Sequence, residues 1–168
     1  RVPMRPEDLA ALRDIGPQDS GASDRPILTL SPDGSKLAFQ LLQADPVSNS
    51  YCLAMVVLDL RNRRLHVVDQ GGDLIRARIT FRGKAGFETG TPITITPRWS
   101  PDGRWIAFLK RTAGTDQVWV AEADGGGSRP LTSSQSDIED FRWNADGTAL
   151  VFSTRPDLRV QANRIAHE

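Results

Sequence analysis

Apolar and polar residues alternate in short runs over most of the chain after Ile27, which is the two-residue period of a strand with one buried face. A clear run, "KLAFQ", closely follows the tetrapeptide Ser-Pro-Asp-Gly at 31–34. Similar arrangements are "SPDGRWIAFLK" from Ser100 and "NADGTALVFST" from Asn144. The alternation predicts one shared apolar face for six residues, namely Leu37, Phe39, Ile106, Phe108, Leu150 and Phe152. Pro presets a turn dihedral in the first two copies, Asp bonds nearby backbone and Gly accepts a positive φ, so each tetrapeptide predicts the turn of a β-hairpin.

Two more strands follow each of the first two hairpins. They are predicted at 52–60 and 64–69 in the first copy, and at 117–123 and 129–132 in the second. Asp102 and Asp146 occupy equivalent turn positions 44 residues apart, a separation typical of a four-stranded propeller blade. Asp33 precedes Asp102 by 69 residues, and the excess falls in two expanded loops, 43–50 and 71–92. The predicted fold is therefore all-β, built from propeller blades of four antiparallel strands and preceded by a short amino-terminal helix.

This interpretation divides the chain into an amino-terminal helix and linker at 1–26 and a partial β-propeller at 27–168. Blade one is expected at about 27–70, an inserted loop at 71–92, blade two at about 93–132 and the start of blade three at about 137–168. Propellers need about four to eight blades. About two and a half blades are therefore expected to be an incomplete propeller, a piece of something larger.

Both ends of the chain carry helical patterns. In "RPEDLAALRDIG", Pro6 suits a first turn and Gly16 a stop, while one apolar stripe is formed by Leu9, Leu12 and Ile15. In the tail, the spacing of Leu158, Ala162 and Ile165 suits one side of a short helix. The blade pattern predicts a third strand at this position instead. The chain begins with Arg-Val, which a cleaved signal peptide and simple trimming explain equally.

The amino-acid composition argues against some classes of binding partner but does not distinguish between folds. The 21 Lys and Arg balance the 21 Asp and Glu among 168 residues, so the basic field of a nucleic-acid binder is lacking. No apolar run reaches the roughly 18 residues that span a membrane. We expect neither a nucleic-acid partner nor a membrane span, and no cofactor. Cys52 is the single cysteine and is expected to be a buried, inert thiol in its strand-like run.

The carboxylates invite a metal or catalytic interpretation, against which a structural one must be weighed. Asp33, Asp102 and Asp146 share one turn pattern and are interpreted as turn residues. A second cluster, Asp137, Glu139 and Asp140, has the oxygen ligands of a cation site, but a solvated loop is favoured. His66 and Asp69 are three apart on a predicted strand and point to opposite faces. No metal site is therefore predicted.

The tryptophans repeat with the blades. Trp99 and Trp143 stand at equivalent positions just before the turns. A stacking platform for bases or sugars is one interpretation. Packing between blades is favoured.

The residues "PRWSPDGRWIAFLK" and "VWVAEADGGGSRPLT" resemble the blade repeat of TolB-like periplasmic propellers and of the propeller domains of prolyl oligopeptidase family serine peptidases. The opening, "PEDLAALRDIG", is similar to the entry of bacterial enzymes of the second group. "QLLQADPVSNSYCLAMVVLDL" resembles, more narrowly, the first blade of the lasso peptide isopeptidases, a bacterial branch that hydrolyses the isopeptide bond closing a macrolactam ring.

The resemblance implies an α/β-hydrolase domain with a Ser-His-Asp triad. No G-x-S-x-G elbow occurs in this chain and neither His66 nor His167 has a plausible triad around it, so no catalytic residue is assigned. The expected partners are the remainder of the same polypeptide, with further blades and the hydrolase domain, and a peptide substrate. A periplasmic location is favoured over a cytoplasmic one. The alternative function is a non-catalytic, TolB-like scaffold for protein–protein interaction.

Blade topology predicts that both expanded loops open on one end of the propeller, the end that the resembled hydrolase covers. Candidate substrate contacts in the inserted loop are Arg76, Arg78, Phe81 and Arg82, with Phe87 as a further apolar candidate. A guanidinium presents a fork of donors that suits peptide carbonyls or a carboxylate. The alternative is an extra hairpin that seals the interface with the hydrolase.

Overall fold

The structure is a computed structural model that describes Arg5, Asp8 and residues 12–16, 25–82 and 84–154, with the backbone alone at 80–81 and 84–87. Its elements are all β-strands in antiparallel sheets that do not close into a ring. The all-β fold with an incomplete propeller is confirmed. In the described residues, no helix is long and apolar enough to cross a membrane.

The first sheet is blade one. Its strands are β1 (Arg13–Asp14), β2 (Leu28–Leu30), β3 (Lys36–Asp45), β4 (Ser50–Asp59) and β5 (Leu65–Gln70). Strands β2 to β5 pair in chain order, and β1 adds to the far end of β3. The tight turn between β2 and β3 closes with a hydrogen bond of 2.9 Å from the Gly34 amide to the Ser31 carbonyl, and Gly34 has the positive φ of 71° that the corner requires.

The remaining strands form a separate hairpin, a second blade and the first pair of a third. Their bounds are β6 (Arg76–Phe81), β7 (Lys84–Pro92), β8 (Arg98–Trp99), β9 (Trp105–Thr112), β10 (Thr115–Glu122), β11 (Ser128–Pro130), β12 (Ile138–Trp143) and β13 (Leu150–Thr154). Strands β8 to β11 pair in chain order as a four-stranded blade, whereas β6–β7 and β12–β13 are two-stranded.

The core lies between successive sheets. Ala38 pairs with Val57 across β3 and β4, and Ile106 pairs with Ala121 across β9 and β10, and all four are fully buried in one cluster. The same cluster continues through Val118 to Ile138 and Phe141 at the start of the third blade. Burial of each large side chain contributes about 1.5–3 kcal/mol, so packing between blades stabilises the fold.

The other face of the first sheet is apolar and partly exposed. Register places eight residues on it, which we call the open face: Leu28, Leu30, Leu37, Phe39, Val56, Leu58, Leu65 and Val67. Leu30, Leu65 and Val67 expose 54%, 45% and 48% of their surface. Val56 on the same face is fully buried, so the face is only partly open to solvent.

Two sequence interpretations are corrected at the edge of the first sheet. Cys52 is exposed, because it pairs with Gln43 where β3 and β4 extend beyond the ends of their neighbours β2 and β5. The amino-terminal helix falls largely outside the described residues, among which Asp8 alone is helical. Arg13–Asp14, predicted as helical, instead form strand β1 against Gln43 and Leu42. The predicted helix around 158–165 also lies outside the described residues.

Candidate functional site

The expanded loops meet at one end of the blades. A groove of about 360 Å³ lies there, and its lining residues are Asn49–Tyr51, Gly72–Arg76, Arg78, Glu88, Arg111 and Asp116. The turn of the long β3–β4 hairpin, the segment after β5, the β6–β7 hairpin and the β9–β10 turn therefore share one surface. This agrees with the sequence-based expectation that the expansions open on the same end.

Charged side chains converge on Asp137, in the loop before β12. Arg78 donates from Nη2 to Asp137 Oδ2 at 2.6 Å and to Glu88 Oε1 at 3.2 Å. Arg111 Nη1 lies 2.7 Å from Asp116 Oδ1 and 3.4 Å from Asp137 Oδ1. The Asp116 backbone amide also donates to Asp137 Oδ1, at 3.0 Å. Two guanidinium groups thus face three carboxylates, and we call these five side chains the ion cluster.

The environment of each acid sets its charge. Burial raises the pKa of Asp116, and the Arg111 hydrogen bond only partly offsets that effect. Burial also raises the pKa of Asp137, but hydrogen bonds from the Asp116 amide and from Arg78 outweigh it and hold the pKa below its ordinary value. Asp137 is therefore ionised, and the Asp137 hydrogen bond in turn raises the pKa of Arg78.

The four predicted contact residues are placed differently. Arg76 is exposed at the start of β6, lines the groove and makes no ion pair among the described residues. Arg78 lies in the ion cluster. Phe81 ends β6, and its side chain lies outside the described part. Arg82 stands exposed in the hairpin turn with a φ of 49°.

The repeated aspartates are turn residues, as predicted. Asp33 accepts from the Ser31 hydroxyl at 2.6 Å and from the Ser35 amide at 3.1 Å. Asp102 accepts from the Ser100 hydroxyl and the Arg104 amide in the same way. These turns lie at the opposite end of the blades from the groove, since each is joined to its hairpin at the end where β3 and β9 begin.

Two of the other candidate acids are bound by cations. Asp140 binds Arg98 at 2.7 Å, and Asp69 binds Lys110 at 2.8 Å between the two blades. The predicted solvated loop at 137–140 is corrected: Glu139 and Asp140 lie in β12, and the side chain of Asp137 just before it is only 19% exposed. No group of three potential metal ligands occurs in the described residues.

Sequence reasoning missed the ion cluster. Arg111 and Asp116 are directly paired across the β9–β10 hairpin, so an opposite-charge pair flanking a predicted turn was an available signal. Arg78 and Asp137 are 59 residues apart, and no local pattern relates them.

Comparisons with known proteins agree with this architecture. No protein-family model matches the chain. The lasso peptide isopeptidase AtxE2 of Asticcacaulis excentricus is 41% identical over 156 residues, which are 92% of this chain and 22% of AtxE2. A solved AtxE2 isopeptidase variant with Astexin3-dC4 bound has a TM-score of 0.87 at 38% identity, covering 99% of this chain and 26% of that chain. TolB from Acinetobacter baumannii has a TM-score of 0.50 at 19% identity, covering 78% of this chain and 27% of TolB, and shows the fold alone.

The chain is therefore an open piece of a β-propeller, the class of fold that TolB also shows. Within that class, the resemblance to the lasso peptide isopeptidases is confirmed. The chain spans about a fifth of the length of AtxE2 as a sequence and about a quarter of the solved AtxE2 chain.

Proposed function

We propose that this chain is the propeller portion of a serine hydrolase that cleaves peptide or isopeptide bonds, with the isopeptide bond of a lasso peptide ring as the favoured target. The observation that supports this most is the 41% identity to a lasso peptide isopeptidase over 92% of the chain. A TM-score of 0.87 over 99% of the chain adds a matching backbone. Such likeness goes well beyond the fold shared with TolB.

In this proposal the catalytic triad lies in a hydrolase domain of the same polypeptide, outside the chain. Its serine attacks the isopeptide carbonyl and releases the ring amine, and water then hydrolyses the acyl-enzyme to a carboxylate. The propeller lines and gates the cavity in which this occurs. We also propose the division into blades at about 27–70, 93–132 and 137–168, with 71–92 as an insertion.

The groove is the surface that we propose for substrate contact, through the hairpin that carries Arg76, Arg78, Phe81 and Arg82. Arg76 is the best placed of these for direct contact, because it is exposed, lines the groove and makes no ion pair among the described residues. Its fork of donors suits the carbonyl oxygens or a carboxylate of a peptide.

The test is hydrolysis of astexin-3 by the full-length protein, followed by mass spectrometry. Gain of one water and conversion of the threaded ring to a linear peptide is the expected result. The linear peptide of identical sequence serves as the control for ordinary proteolysis, and a serine-directed fluorophosphonate should block the reaction. An intact ring after prolonged incubation of active, folded enzyme contradicts the isopeptidase proposal.

The contact proposal has a separate test. Arg76→Ala should raise KM for the lasso peptide several-fold with little change in kcat, as expected when a binding interaction made equally in the ground and transition states is lost. Arg76→Lys keeps the charge without the fork and should recover only part of the affinity. Unchanged KM in Arg76→Ala argues against substrate contact at this position.

A further inference from the structure

The β6–β7 hairpin needs support from outside its own two strands. It pairs with no other described strand, and an isolated two-stranded hairpin is marginally stable in water. At its base, the Ile93 amide donates to the Ile75 carbonyl at 2.8 Å, and Ile75 and Ile95 are buried in the core. These contacts fix the base of the hairpin. Its angle over the groove therefore depends on contacts made by residues further along its two strands.

Arg78 reaches from the hairpin to the third blade. Its 2.6 Å contact with Asp137 joins β6 to the loop before β12, whereas its 3.2 Å contact with Glu88 stays within the hairpin. The Asp137 side chain is 19% exposed and that of Arg78 is 30% exposed, so the pair is shielded from water more than a surface ion pair.

Asp137 is itself held by the second blade. The Asp116 amide donates to Oδ1 at 3.0 Å, and Arg111 approaches the same oxygen at 3.4 Å. The inserted hairpin, the β9–β10 turn and the start of the third blade therefore meet at one carboxylate. Its two oxygens are divided between them, Oδ2 toward the hairpin and Oδ1 toward the second blade.

We propose that Asp137 is the positioning residue of the groove: it holds Arg78, fixes the hairpin across the second and third blades and so presents Arg76 to a peptide substrate. Arg78 holds the hairpin in place and does not itself bind the substrate, because its guanidinium already donates to Asp137 and Glu88. The substrate role rests on the proposed function, while the positioning of the hairpin does not.

The decisive measurement is amide hydrogen exchange of residues 76–92 in the full-length protein. Asp137→Asn removes the charge and keeps the shape, and it should speed exchange in the hairpin by about tenfold or more, as expected for loss of one charge-assisted hydrogen bond. Arg78→Gln breaks the same pair from the hairpin side and should give a similar increase. The double variant should add little beyond either single one, because both remove the same contact.

The matched control is Asp140→Asn. Asp140 lies three residues further along the chain and also pairs with an arginine, Arg98, at 2.7 Å, but it makes no ion pair with the hairpin among the described residues. This variant should leave exchange at 76–92 unchanged. If Asp137→Asn does not fold, Arg78→Gln decides by the same readout. Normal hairpin exchange in a folded variant that lacks either partner overturns the positioning role.

Kinetics separate this inference from the proposed function. In Asp137→Asn, KM for a lasso peptide should rise several-fold at nearly constant kcat, as expected for lost binding. Arg76→Ala should raise the same KM without changing exchange. If Asp137→Asn speeds exchange at residues 76–92 but the wild type opens no lasso ring, the isopeptidase proposal is rejected and the positioning role is retained. If the wild type opens the ring but Asp137→Asn leaves exchange at residues 76–92 unchanged, the positioning role is rejected and the isopeptidase proposal is retained.

Discussion

The indole N–H of Trp143 donates a hydrogen bond of 3.0 Å to the backbone carbonyl of Arg98, one blade earlier in the chain. Trp99 makes the equivalent bond, of 3.2 Å, to Thr29 in the first blade. Each tryptophan therefore ties the innermost strand of its own blade to that of the preceding one. Both are half-buried beside the core cluster, which confirms packing between blades as their role.

We expect Trp99→Phe and Trp143→Phe each to lower the free energy of unfolding by about 1 kcal/mol, the net value of one hydrogen bond. Trp119→Phe is the matched control, since Trp119 Nε1 is buried without a hydrogen-bond partner in the described part of the chain. Phenylalanine there still offers a ring face to Lys110, which lies 4.3 Å from the Trp119 ring centroid. Urea unfolding of the full-length protein tests this, and equal losses in all three variants would contradict it.

Two lysine–aspartate pairs join the same two blades in different surroundings. Lys110 and Asp69 are 9% and 6% exposed, whereas Lys36 and Asp124 are 24% and 87% exposed. Lys110→Met leaves a buried carboxylate without its cation and should cost about 3–5 kcal/mol. Lys36→Met should cost no more than about 1 kcal/mol. Denaturant midpoints of the two variants give the comparison, and similar losses would show that burial does not distinguish the pairs.

The turn aspartates should make the fold sensitive to acid. Hydrogen bonds from Ser100 and the Arg104 amide lower the pKa of Asp102 below its ordinary value of 3.8. A lowered folded pKa gives stability that is present above 3.8 and is lost as the pH falls through the folded value. Asp102→Asn should therefore flatten the fall in stability below pH 3.8, measured as the urea midpoint at successive pH values.

Asp116 should show the opposite sign. Burial raises its pKa above 3.8, so the folded state binds the proton more tightly and this group disfavours folding as the pH rises above 3.8. Asp116→Asn removes that opposing contribution, and stability should then rise more steeply with pH just above 3.8. The same slope as in the wild type would mean that the Arg111 pair fully offsets burial.

The parts of the fold that sequence predicted are those with local causes. The turns at Asp33 and Asp102 contain their own donors and a glycine with positive φ within a few residues. Phe152 was placed on the same apolar face as Phe108, yet it is 45% exposed. Alternation identifies which residues share a face, but whether a face is covered depends on the next strand or sheet. Cys52 was misjudged for the same reason.

The sequence predicted where the candidate site lies but not which of its side chains contact one another. Loop lengths and blade topology placed 43–50 and 71–92 at one end, and the groove lies there. Arg78 is bound by Asp137, which is 59 residues away along the chain, whereas Arg76 is not. Spacing along the chain cannot reveal such a contact, because the blades must first pack before the two side chains meet.

The open face should lower the solubility of residues 1–168 when they are expressed alone. Leu30, Leu65 and Val67 present apolar surface next to paired strands, and contiguous exposed apolar patches promote association. We expect the isolated fragment to be poorly soluble and inactive on peptide substrates. Leu30→Thr with Val67→Thr should raise its soluble yield, whereas Val47→Thr should not, because Val47 is 97% exposed in a turn away from this face. Size-exclusion chromatography with light scattering measures the outcome, and a monomeric, cooperatively melting wild-type fragment would show that the open face needs no covering blade.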